Sequence, residues 1–344
     1  MKILCLTVSL MSSILIAQTC AAYHSGGHLI GPEPVEIADT EEIAPVAHWL
    51  FDKPYEPNVV DLISGQIATL INEPKWGNGW EGEQFVHLEN HSQAIEIPMG
   101  KCRPESGTLA LRISPEETDS LQILFAHALD CIENRMALYL DGDALVLGVG
   151  DLFFTDIYHL IPAQSYHIAL TWDGADYALF VNGRHKLSGV FAGLSQLDPV
   201  AYIGNYVYLG NSVNEEGFRG LVHDIQLYAD ALDKEAIDEL FLTHYVRENR
   251  PIEFVLVGCD LDGNHINYNA HNLPQRATFD FETQTFYWKT FFDEVGRYEI
   301  LFSAPNQAEI KVNVVVLKTP LQDWYRCFLE DPRIKGKDKN VHND

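Results

Sequence analysis

Eight short apolar stretches separated by turn dipeptides constrain this chain more than any other feature. They are VAHWLFD (46–52), TLALRIS (108–114), LQILFAHA (121–128), RMALYLDG (135–142), ALVLGVG (144–150), YHIALTW (166–172), YALFVNG (177–183) and AYIGN (201–205). Each has the length of a strand, and several alternate large apolar with polar residues at period two. Asp141-Gly142, Asp173-Gly174 and Asn182-Gly183 stand between them, and such pairs favour tight hairpins. Many short strands at regular spacing build a sandwich or a barrel. The one helix expected in this half runs from Asp233 to His244.

Two stretches carry finer detail. HIALTWDGADYALFVNGR (167–184) reads as a hairpin turning at Asp173-Gly174. Its Leu170, Trp172, Leu179 and Val181 point to a sandwich core. FRGLVHDIQLY (218–228), followed by ADALDKEAI (229–237), reads as a closing strand that runs into a short helix. Gly220 allows a bend there that a β-carbon would resist. With VAHWLFD, Asp61-Leu62-Ile63-Ser64-Gly65, ATLIN (68–72) and FVHLENHSQAIEIP (85–98), these blocks stand in the order of the laminin G-like family. Residues 45–245 therefore resemble a laminin G-like, concanavalin A-type jelly roll. His223 departs from the family pattern, which commonly has Asp there, and Glu89-Asn90 replaces its Asp-Gly turn.

A second unit begins near Arg250-Pro251. Asn272-Leu273-Pro274, Ala277-Thr278-Phe279-Asp280, Thr285-Phe286-Tyr287-Trp288 and Val295-Gly296-Arg297-Tyr298 resemble the Ig-like, cadherin-like repeat of bacterial surface proteins over residues 250–318. Arg276 stands where that family has Gly. The expected fold class is all-β: a concanavalin A-like jelly-roll sandwich plus a smaller Ig-like β-sandwich. The expected division is a signal peptide over 1–22 and a flexible acidic leader over 23–44. The jelly roll then covers 45–248, the Ig-like domain 249–319, and a tail 320–344.

The signal peptide rests on Lys2, the apolar run from Ile3 to Ala17, and the small residues around Ala21 and Ala22. That run is shorter than the roughly 20 residues a membrane span needs. The expectation is a protein that is secreted, periplasmic or at the cell surface, with no membrane insertion of the mature chain. Against 49 acidic residues the chain has 23 Lys and Arg, for a net charge of −26. Such a field repels nucleic acid. After the leader, Cys102, Cys131, Cys259 and Cys327 remain. Four cysteines in an exported chain allow three pairings, and domain order favours Cys102–Cys131 with Cys259–Cys327.

Chemistry-bearing motifs are few. No paired-carboxylate strand, Gly-x-Ser-x-Gly, His-Glu-x-x-His or phosphate loop is present, and Glu96 is a lone acid between Ile95 and Ile97. Asp260-x-Asp262-Gly263-Asn264 begins like a calcium loop, but His271 stands where the bidentate Glu belongs. Laminin G-like resemblance implies calcium, with Asp52, Asp61 and Asp224 as ligands that neighbouring first and last strands would bring together. Trp76 and Trp80, in the Gly-rich WGNGWEGE, are candidate ligand contacts, whereas core packing is the plainer role of Trp49 and Trp172. The functional expectation is a non-catalytic binding or adhesion protein whose partner is a glycan or a cell-surface protein. The alternatives are a polysaccharide hydrolase or lyase of the same fold, or a structural envelope protein.

Overall fold

The computed structural model describes residues 5–9, 44–52, 58–78, 84–127, 134–205, 216–259, 265–305 and 309–319. All eight expected stretches form strands, and they lie in two sheets. The front sheet runs in the order Leu152–Phe154, Ala144–Val149, Met136–Asp141, Leu121–His127, Val200–Ile203, Ala94–Pro98, Ile67–Ile71, Asn58–Val60. The back sheet runs Arg184–Val190, Asp176–Val181, Tyr166–Asp173, Ser106–Pro115, Gly220–Tyr228, Gln84–Leu88, Lys75–Asn78, and Ala47–Leu50 also pairs with Gly220–Tyr228. Neighbours that are distant in sequence show the crossovers of a jelly roll.

Period-two alternation sets what each strand buries. Leu109, Leu111 and Ile113 of the back sheet and Leu138, Leu140, Leu145 and Leu147 of the front sheet fill one core with Trp49, Phe125 and Trp172. Gly107 is required where it stands, because a β-carbon there would collide with the Trp172 ring. Asn182 and Gly183 both take positive φ, 50° and 72°, as the expected hairpin turn demands.

Helix α1 spans Lys234–Phe241, and Asp233 caps it by accepting from Ala236 N at 2.9 Å. Its Ile237 and Leu240 pack on Ala110, Ala169 and Phe180, which face outward from the back sheet. The helix stops short of the expected His244. Thr243–Arg247 is instead a strand, paired in parallel with Ile310–Leu317. Thr243–Arg247 thereby joins a sheet of the second unit. That unit is a small β-sandwich around Phe254, Phe286, Trp288 and Ile300. One of its sheets pairs Thr243–Arg247, Ile310–Leu317, Gly296–Ser303 and Asn269–His271. The other includes Pro251–Cys259, Thr285–Lys289 and Thr278–Asp280, with Cys5–Ser9 of the expected signal segment on its edge.

Candidate functional site

The three acids expected to hold calcium are each committed to protein groups. Asp61 accepts from Ile63 N and Ser64 N at 2.8 Å, Ser64 Oγ at 2.8 Å and Gln66 N at 2.6 Å. Burial alone would raise its pKa, but these bonds hold the carboxyl below its ordinary value. Asp224 Oδ2 lies 3.7 Å from Arg112 Nε, and Asp52 Oδ2 lies 2.5 Å from Arg247 Nε. Hard cations need several free oxygens converging, and this set does not fit. No group of three or more His, Cys, Asp or Glu among the described residues could hold a metal ion.

Trp76 lies on the edge strand Lys75–Asn78 of the back sheet, half-buried against the core, with its ring centroid 6.5 Å from Phe51. Trp80 lies outside the described residues. Cys102 is a free thiol, which corrects the expected Cys102–Cys131 bridge. It packs against the jelly-roll core, and burial pushes its pKa up to about 12. Cys131, Cys327 and the side chain of Cys259 lie outside the described residues.

A different set of residues meets on the outer face of the front sheet. Register places Phe153, Gly148, Ala137, Ala126, Tyr202, Glu96 and Thr69 in one row across seven adjacent strands. Their neighbours along each strand, such as Leu138, Leu147, Ile95 and Ile203, belong to the core, so this row faces outward. The middle of the row is small. Ala126 and Ala137 are fully buried, and the Phe153 ring and Arg135 lie close above Gly148. Arg135 Cζ stands 4.1 Å from the Phe153 ring centroid. Arg135 is 9% exposed and Phe153 53%, so the ring's other side faces solvent.

Tyr139, offset by two residues from Ala137, sets its ring 6.3 Å from that of Phe153. Burial raises its pKa, partly opposed by Arg135. Tyr202 is pushed up to about 12, by burial first and then by its hydrogen bond to Glu96 and that group's charge. It stays a neutral phenol, and Glu96 keeps lone pairs for other donors. The result is a shelf of three rings with one carboxylate. From Tyr202 to Phe153 it spans four strand spacings, about 19 Å. Sequence reasoning weighed Glu96 only as half of a catalytic pair. Tyr139 and Tyr202 stand in the outward phase of their strands, the one signal that could have found this shelf.

Residues 89–238 match a laminin G-type family model described as the Concanavalin A-like lectin/glucanases superfamily. That segment is a concanavalin A-like jelly roll. The match stops short of residues 250–318, which form the small β-sandwich. No curated protein matches the chain.

Among solved structures, domain 4 of AbnA, a GH43 extracellular arabinanase from Geobacillus stearothermophilus in complex with arabinotriose, is 20% identical. That match covers 57% of this chain and 97% of the other, with a TM-score of 0.47. Trypanosoma rangeli sialidase in complex with sialic acid is 14% identical at a TM-score of 0.46, over 57% of this chain and 32% of the sialidase. The receptor-binding domain of botulinum neurotoxin mosaic serotype C/D is 12% identical at a TM-score of 0.44, over 78% and 72%. This chain thus spans about a third of the sialidase. These likenesses concern the fold alone. An arabinanase and a sialidase stand among them, so the expectation that the chain is no enzyme does not hold, and fold alone assigns no reaction. No described helix is long and apolar enough to cross a membrane.

Proposed function

We propose that this protein is an exported glycan-binding protein that holds its ligand on the outer face of the front sheet. The observation that carries this reading is the outward row itself. Sugar rings have apolar C–H faces that lie flat on aromatic rings, and hydroxyls that seek carboxylate and phenol oxygens. Phe153, Tyr139 and Tyr202 supply the first and Glu96 the second. The small residues Gly148, Ala137 and Ala126 form the floor of the row and are themselves buried. Aromatic side chains with a few placed polar groups are the usual lining of a small-ligand site.

The test is a glycan array on the full chain, followed by calorimetric titration of the best ligand. Tyr139→Ala and Phe153→Ala are expected to weaken binding about tenfold or more, since one lost stacking contact of about 1.4 kcal/mol equals a factor of ten. Trp76→Ala serves as the control on the back sheet. Loss of binding in Trp76→Ala with full binding in both front-sheet variants would move the site to the edge of the back sheet.

A further inference from the structure

The outer face of the back sheet holds ionisable groups that the proposed glycan site does not use. His167, Arg112 and Asp224 stand opposite one another on three adjacent strands. All three are buried. Arg112 Nη2 donates to the carbonyls of Phe241 and Thr243, each at 3.3 Å. The His167 ring meets Phe241 at a centroid distance of 6.0 Å, and neither of its nitrogens has a hydrogen-bond partner. His48 meets the Tyr245 ring at 4.5 Å, and its Nε2 has none either. Beyond this contact, His244 stacks on Phe254 at 4.6 Å inside the small sandwich, again with Nε2 unpartnered. The segment from Phe241 to Arg247 thus covers a patch of imidazoles beside a fixed positive charge.

We infer that this junction is an acid-operated latch: protonation of His167, assisted by His48, releases the small sandwich from the back sheet of the jelly roll. Buried imidazoles cost free energy when charged, and a neighbouring cation adds to that cost.

The charged surroundings decide the sign. From Ser106–Pro115 comes Arg112. From Gly220–Tyr228 come Asp224, paired to Arg112, and His223, whose Nε2 sits 3.1 Å from Ser114 Oγ. From Ala47–Leu50 comes His48, which also feels Asp61. From Thr243–Arg247 come His244, Tyr245 and Arg247, the last paired to Asp52. From α1, Phe241 faces the imidazole, while Asp238 and Glu239 turn to Lys234 and Arg297. The charge acting on His167 is that of Arg112. Burial first, and then Arg112, hold His167 and His244 well below the ordinary imidazole range. Burial lowers His48 as well, against a partial pull upward from Asp224 and Asp61.

A folded-state pKa below the unfolded one gives stability that is complete above about pH 6.5 and is lost as pH falls below it. His48 and His167 lie outside the inner core cluster. They can therefore gain water by opening of the junction, without unfolding of the jelly roll. Each proton taken up on opening raises the opening constant about tenfold per pH unit below 6.5.

Hydroxyl-radical footprinting of the full chain between pH 7.5 and 5.0 tests this. Oxidation of Phe241, 3% exposed, is expected to rise about tenfold or more per pH unit below 6.5, while Phe125 of the inner core stays protected. His167→Gln, which cannot titrate, should lower that slope by about tenfold per unit. A Phe241 rate independent of pH, equal exposure of Phe125, or an unchanged slope in the variant would each overturn the latch. If His167→Gln does not fold, small-angle scattering of the wild-type chain decides. A radius of gyration that grows in acid with β-sheet circular dichroism retained supports the latch, and a constant radius overturns it.

Discussion

The two outer faces of the jelly roll follow the same alternation and end in opposite states. On the back sheet, Ala110 and Ala169 leave room for α1, and Arg112, Asp224, His48 and His167 are sealed under residues 241–247. On the front sheet, Ala126, Ala137 and Gly148 also make a low floor, yet the residues around it are aromatic and Phe153 is exposed. Among the described residues no helix lies on that side. Small residues alone therefore do not tell a packing seat from a binding shelf. What separates them is what rims the seat. A covered face can carry charges only if they are paired inside it, whereas a face left to a ligand keeps rings that lose little by meeting water.

The largest expected effect is on the covered face. Arg112→Met strands Asp224 and leaves two carbonyls without their donor. Removing one partner of a buried pair costs about 3–5 kcal/mol. Denaturant unfolding of Arg112→Met measures this, and Arg112→Met with Asp224→Leu should recover most of the loss. A single variant that melts like wild type would mean that the face is wet and that the contrast between the sheets fails.

Next comes the seat of the helix. Ile237 is fully buried in the cluster with Ala110, Ala169 and Phe180. Ile237→Ala should cost about 2–5 kcal/mol, through lost transfer energy and the cavity left behind. Its unfolding midpoint tests the value. A loss well under 1 kcal/mol would show that α1 rides on the sheet without holding to it.

These faces were legible in the sequence to different depths. All eight strand stretches and the Asn182-Gly183 turn were readable, because alternation and turn chemistry are local. The helix start at Asp233 was readable from its cap. Its end was not, because Thr243–Arg247 is drawn into a strand by Ile310–Leu317, a partner some seventy residues away. The aromatic shelf was hidden for a related reason. Phe153, Ala137, Tyr202 and Glu96 come from strands whose order in the sheet is not their order in the chain. Of the acids singled out for calcium, Asp61 is held by neighbours within five residues, whereas Asp224 and Asp52 pair with Arg112 and Arg247, far off in sequence.

Cys102 lies between the faces, on the connection from Ala94–Pro98 to Ser106–Pro115. Its thiol, pushed up to about 12 by burial, should react slowly with a thiol reagent at pH 8 in the native state and fast in denaturant. Substitution to Ala should cost about 1 kcal/mol, as for deletion of a small buried group. Equal labelling rates in the two states would place this connection in solvent.

The smallest expected effect on stability falls on the front face, and it sharpens the comparison most. Phe153 is 53% exposed, and its contacts run to Arg135, Tyr139 and the small floor at Gly148. Phe153→Ala should shift unfolding by about 0.5 kcal/mol or less, the usual range for surface positions, even though a buried Phe→Ala costs about 3–5 kcal/mol. Calorimetry of wild type and variant decides between them. A loss in the buried range would mean that the ring is packing and that both faces are seats. A neutral result, with glycan binding weakened in the same variant, would separate a ring kept for a ligand from a ring kept for the fold.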